Sequence, residues 1–195
     1  MRRLEFLAKH IHAGRILDVG NLDKRGAFHN ALIQKFPRSV FYGLDVVDQT
    51  KLGIAFPNQK VGSAEEMDFP DDFFDSVYLG QVFEHTWEPK KVLEQCYRIL
   101  KPGGSVIMDT PNVYALSRMI RYCLTGRDVI LGNPDHKLFY SRAMLEHLFE
   151  SSRLQVKELL TENVFAFRSR LLPLPTVGVF KFLGECVMVA AEKSK

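Results

Sequence analysis

Gly62-Ser63-Ala64-Glu65-Glu66-Met67-Asp68-Phe69-Pro70-Asp71-Asp72-Phe73-Phe74-Asp75-Ser76-Val77-Tyr78-Leu79-Gly80-Gln81-Val82-Phe83-Glu84-His85 is the stretch on which the reading of this chain turns. Its middle, residues 74–80, is a short apolar run ending in glycine, the pattern of a buried strand. A carboxylate and an imidazole follow within five residues. Downstream, residues 88–100 predict a helix. Pro89 suits its first turn, and Val92, Leu93, Cys96, Ile99 and Leu100 share one face. Lys101-Pro102-Gly103-Gly104 ends that helix, and residues 105–110 form a further strand closed by Pro111-Asn112.

Upstream the same alternation holds. Residues 15–20 read as a first strand running into a glycine turn, residues 39–45 as a second ending on Asp45, and residues 60–62 as a third. Residues 2–11 and 27–36 have helical patterns, whereas 46–58 offer no helical period. Toward the C-terminus, Ser141 caps a helix over 141–151, and residues 154–160 and 185–191 complete the strands. Such alternation predicts an α/β fold: one doubly wound, mostly parallel sheet with helices on both faces.

Bulk properties narrow the class. The chain has 195 residues, enough for one domain over 1–195 that needs no disulfide or metal staple. A net charge of +3 gives no basic face of the kind nucleic acid requires, so no nucleic-acid partner is expected. Cys96, Cys123 and Cys186 are sparse and unpaired in spacing, and no His/Cys cluster has zinc spacing, so no metal is expected either. No apolar segment suits a signal peptide or a membrane span, and the expected location is cytoplasmic.

In a doubly wound sheet, ligands bind beyond the carboxyl ends of the strands. Asp18-x-Gly20 stands there on strand one, where Gly20 lets a ligand approach the backbone. Asp45 stands there on strand two, placed to accept both hydroxyls of a ribose. The pair points to a nucleoside-bearing cofactor.

The stretch 62–85, continued through Tyr97-Arg98-Ile99-Leu100-Lys101-Pro102-Gly103-Gly104 to Pro111-Asn112, resembles the class I S-adenosylmethionine-dependent methyltransferases of small-molecule type. That family has a GDAEELPF-like loop before an F-D-x-V strand, then E-H, then R-V-L-K-P-G-G, then a strand ending in P-N. The match spans residues 15–112. Asp135-His136-Lys137-Leu138-Phe139-Tyr140-Ser141 is similar to the entry to the last helix in members acting on sugars, glycans or lipid-linked intermediates.

The resemblance implies a Rossmann-like seven-stranded sheet with an antiparallel last strand, and S-adenosylmethionine as cofactor. Gly20 and its loop would approach the methionine end, with Asp18 holding the loop or a water bound to the amino group. Asp45 would bind the ribose. Ser63 and Ala64 would flank the adenine edge, and Met67 would pack on its face. Gly80 and Gln81 would lie near the cofactor carboxylate and the transferred methyl. Glu84 and His85 would face the acceptor, with His85 as base, although a capping carboxylate and a satisfied histidine are the plainer alternative. His136 would meet the acceptor or pin a lid. The insertion 113–138 and the aromatic stretch 164–184 would wall the acceptor site; that stretch could equally be a homodimer surface or touch a membrane-bound lipid carrier.

Two departures motivate an alternative, a degenerate fold serving as a non-catalytic binding or regulatory module. The glycine loop, usually D-x-G-x-G-x-G, has Leu22 at its second glycine position, and Gly26 comes late. Leu22 either obstructs the cofactor or is carried away by a bulge. The usual adenine-binding acid is replaced by Ser63. The remaining histidines, His10, His12, His29 and His147, read as surface residues.

Overall fold

A computed structural model of the chain describes residues 3–126, 133–162, 164–167, 170–173, 179 and 182–195, with the backbone alone at 164–167 and 170–173. Its seven-stranded sheet is built from β1 (Arg15–Val19), β2 (Val40–Asp45), β3 (Gln59–Val61), β4 (Phe74–Gly80), β5 (Leu100–Pro111), β6 (Leu154–Thr161) and β9 (Cys186–Lys193). The order is β3-β2-β1-β4-β5-β9-β6. β1 pairs in parallel with both β2 and β4, so the chain switches direction across the sheet between β1 and β4. β9 runs antiparallel to both of its neighbours, as expected.

The helices are α1 (Arg3–His10), α2 (Ala27–Lys35), α3 (Pro89–Ile99), α4 (Leu116–Thr125) and α5 (Arg142–Glu150). Alternation along each strand sends neighbouring side chains to opposite faces. Leu17 and Val19, Val77 and Leu79, and Val106 and Met108 pack with Val92, Leu93, Cys96 and Ile99 of α3 and Leu145 and Phe149 of α5. Ile16, Tyr78 and Ile107 pack on the other face with Phe6 and Leu7 of α1 and Leu32 of α2. The sheet is thus covered on both sides, which is why its strands read as nearly continuous apolar runs.

Three details refine the sequence reading. No helix forms over 46–58; Asp48 caps a single 3-10 turn at Gln49–Leu52, and Gly53 closes it in the left-handed region. β5 begins earlier than read. Phe74 pairs with Leu100 and Ser76 with Ser105, so Lys101-Pro102-Gly103-Gly104 is extruded from the register. α5 is capped as expected, the Ser141 side chain accepting from Met144 N.

Within the insertion, α4 has no buried residue, and Met119, Ile120, Tyr122 and Leu124 are exposed. Residues 127–132 lie outside the described residues. Within 164–184, β7 (Val164–Phe167) pairs antiparallel with β8 (Arg170–Pro173). The expected aromatic wall falls outside the described side chains, apart from Phe182.

Candidate active site

The carboxyl ends of β1, β2 and β4 open into a cavity of about 930 Å³. Asp18, Gly20, Asp45, Ser63, Ala64, Gly80, Gln81, Glu84 and His85, all singled out from sequence, line it. Met67 does not. It is buried in the core, and its carbonyl accepts from Arg98 Nη2 at 2.6 Å. Its side chain thus packs in the core with the neighbours of α3 and does not line the cavity where adenine contact was expected.

The glycine loop carries Leu22 in the wall of the cavity. Gly20, at φ 71°, donates from its nitrogen to Leu44 O; a Cβ there would sit 2.7 Å from Val82 Cγ2. Asn21 exchanges two side-chain hydrogen bonds with Gln59 of β3, at 2.8 and 3.0 Å. Leu22 is buried, and its backbone N–H donates to Asp45 Oδ2 at 3.0 Å. The extra length is taken up by Lys24, Arg25 and Gly26, three successive residues at positive φ. Asp45 also accepts from Val47 N at 2.9 Å, so the second-strand carboxylate positions the loop as well as facing the cavity.

Behind the loop, Asp18 accepts from His29 Nδ1 at 2.7 Å, and both side chains are buried. His29 is thus not a surface residue. Phe41 and Phe56 meet its ring edge-on. Burial raises the Asp18 carboxyl above its ordinary value, and the His29 hydrogen bond opposes the shift.

A second buried carboxylate, Asp109 on β5, was not anticipated. It accepts from Arg3 Nη2, Tyr78 Oη and Gln81 Nε2, each at 2.6 Å. Burial raises its pKa, and those three partners oppose the rise. Gln81 is held at φ 57°, a left-handed conformation secured by the bond from its N–H to Asp109 O. Arg3, on α1, brings a cation to this corner of the cavity.

At the other end stands Glu84, only 2% exposed, one of whose oxygens accepts from the Thr110 hydroxyl at 2.8 Å. Burial pushes its pKa up to about 7. His85 is exposed, and its Nδ1 donates to Asp135 O at 3.1 Å. His136 lies ring to ring with His85 at 4.9 Å. Burial first, then His85 and Arg118, hold its pKa down. Lys137 N donates to Glu84 O at 2.6 Å, tying the insertion to this turn. Exposed Trp87 completes the rim, with Lys137 Nζ 5.4 Å from its ring centre.

Residues 17–108 match a family model described as a methyltransferase domain. The chain is 33% identical over 156 residues to a probable S-adenosylmethionine-dependent methyltransferase of Mycolicibacterium smegmatis, covering 77% of this chain and 56% of that protein. It is 34% identical over 106 residues to a ubiquinone biosynthesis O-methyltransferase of Pseudomonas putida, covering 50% of this chain and 42% of the other. The chain thus spans about half the length of the curated relatives it matches. A SAM-dependent methyltransferase from Archaeoglobus fulgidus has the same fold, with a TM-score of 0.69 over 97% of this chain and 90% of that one, at 18% identity. Motif succession, strand order and these matches agree: residues 17–108 are a methyltransferase domain, and the chain has the fold of the class I S-adenosylmethionine-dependent methyltransferases.

Proposed function

We propose that this domain binds S-adenosylmethionine and transfers its methyl group to a small-molecule, sugar or lipid-linked glycan acceptor. The observation that carries the reading is a single cavity with two chemically distinct ends. One end offers glycine backbone and Asp45; the other offers a carboxyl and two imidazoles.

The residues fit the cofactor. Gly20 and Gly80 line the cavity without a side chain, so a ligand can approach their backbone closely. The half-exposed Asp45 stands at a strand end, and the cavity falls within the usual size of cofactor sites. Asp45 binds the ribose, Ser63 and Ala64 flank the adenine, and Gly20, Gly80 and Gln81 take the methionine end. The cofactor, when bound, supplies a methyl group on a sulfonium leaving group. The protein's work is then alignment.

For a hydroxyl acceptor, His85 is the base. Its Nδ1–H is committed to the Asp135 carbonyl, which leaves Nε2 with a free lone pair facing the cavity rim. The 113–138 insertion forms the acceptor side, through the segment that carries His136 to this turn. The ubiquinone O-methyltransferase relative lends support to an oxygen acceptor.

Calorimetric titration with S-adenosylhomocysteine, with Asp45→Ala alongside, tests the reading. Saturable binding weakened at least tenfold in the variant, about 1.4 kcal/mol, is expected. No saturation by a folded wild-type protein would sink it, and would favour a non-catalytic binding module with the Leu22 loop as the cause.

A further inference from the structure

We propose that Glu84, His85 and His136 form a site for one divalent first-row transition ion at the acceptor end of the cavity. Each residue offers one ligand atom, and the three atoms lie within 4.8 Å of one another. Ligand atoms around a four-coordinate zinc with bonds of about 2.1 Å stand roughly 3.4 Å apart. Closing on such an ion would draw these atoms together by up to about 1.4 Å.

The second observation is independent of that spacing. His136 Nδ1 is buried and, among the described residues, is the one buried side-chain nitrogen or oxygen without a hydrogen-bond partner. A buried nitrogen of this kind normally finds a partner. An ion shared with Glu84 and His85 would give it one.

The contacts behind the ligands complete the case. The Asp135 carbonyl accepts from His85 Nδ1–H, which fixes the tautomer and frees Nε2 to bind an ion. The Thr110 hydroxyl holds one oxygen of Glu84 in place. Two imidazoles with one carboxylate suit Zn²⁺ or Fe²⁺ rather than Mg²⁺ or Ca²⁺, which prefer all-oxygen sites. Three protein ligands leave an open position for an acceptor oxygen. An ion there lowers the pKa of a bound hydroxyl, whose proton passes to solvent, and so does the work of the His85 base. That role rests on the methyl-transfer reading; the ion site itself does not.

The test uses the full chain, stripped with chelator and without cofactor, titrated with Co²⁺ and followed by its visible d–d absorption. Zn²⁺ is titrated in parallel by calorimetry. One ion per chain is expected. His136→Ala and His85→Ala should each weaken it at least about 100-fold, the upper end of what losing an outer partner costs. S-adenosylhomocysteine affinity in both variants should stay within about twofold of wild type, which shows that the fold and the cofactor end persist. His85 is exposed, so its variant keeps the test open if His136→Ala does not fold. Absence of Co²⁺ binding, or binding unchanged in the folded variants, overturns the site. Co²⁺ binding that depends on both histidines, in a chain that does not bind S-adenosylhomocysteine, would uphold the ion site and refute the methyl-transfer reading alone.

Discussion

Replacing Glu84 by glutamine should make the protein more stable at alkaline pH and less stable at acid pH. In the fold, Glu84 is 2% exposed and its pKa is pushed from 4.5 to about 7 by burial. In the unfolded chain the carboxyl gives up its proton first. Between these two values the folded state therefore binds more protons, and stability falls as pH rises. The favourable contribution is complete below 4.5 and is lost as pH passes through about 7, by a total of about 3 kcal/mol. Glutamine cannot ionise. It still accepts from the Thr110 hydroxyl, but its amide N–H groups need partners, at a cost of about 1 kcal/mol that does not vary with pH. The stability difference, variant minus wild type, should run from about −1 kcal/mol near pH 4 to about +2 kcal/mol near pH 8.5. Urea unfolding of both proteins in chelator, across that range, measures it. Every other titrating group is common to the two proteins, so the difference isolates Glu84. A difference that does not change with pH would refute the argument, because it would mean that the carboxyl is solvated or paired in the fold.

Two further substitutions probe the methionine end. Gly80→Ala places a Cβ 2.5 Å from Tyr78 Oη, which must then leave Asp109, and a loss of about 1–3 kcal/mol by urea unfolding is expected. Wild-type stability in that variant would show that the strand end yields freely. Arg3→Ala removes the cationic partner of buried Asp109 but leaves the bonds from Tyr78 and Gln81; because Arg3 is a third exposed, a loss of about 2 kcal/mol is expected in place of the full cost of breaking a buried pair. Low-salt and high-salt melts that show no loss would place that ion pair among ordinary surface pairs.

The strands were legible because burial on both faces writes them as apolar runs, and α3 because its apolar face has helical spacing. What stayed hidden depends on contacts distant in sequence. Asp18 and His29 meet only once β1 and α2 pack, and nothing in α2 marks its histidine as inward-facing. His136 reaches His85 through an insertion whose path the sequence does not fix. Lys24 and Arg25 adopt positive φ without being glycine, so the loop's added length could be counted but its shape could not be foreseen. Met67 is instructive in the other direction. It was assigned to the adenine by motif position, yet the motif does not say which way the turn presents its side chains.

The two ends of the cavity are held by adjacent residues of one strand. Asp109 and Thr110 follow each other on β5, and alternation sends them to opposite faces of the sheet. Asp109 lies on the face that carries Tyr78 and Ile107 and gathers Arg3 and Gln81 at one end of the cavity. Thr110 lies on the face that carries Val106 and Met108 and holds Glu84 at the acceptor end. The peptide between them therefore links the two groups that the proposed methyl transfer would need aligned. β5 is central, paired in parallel with β4 on one side and antiparallel with β9 on the other, so neither residue can shift without breaking ladder bonds. In the proposed reading the sheet, more than the loops above it, would then set the distance between donor and acceptor.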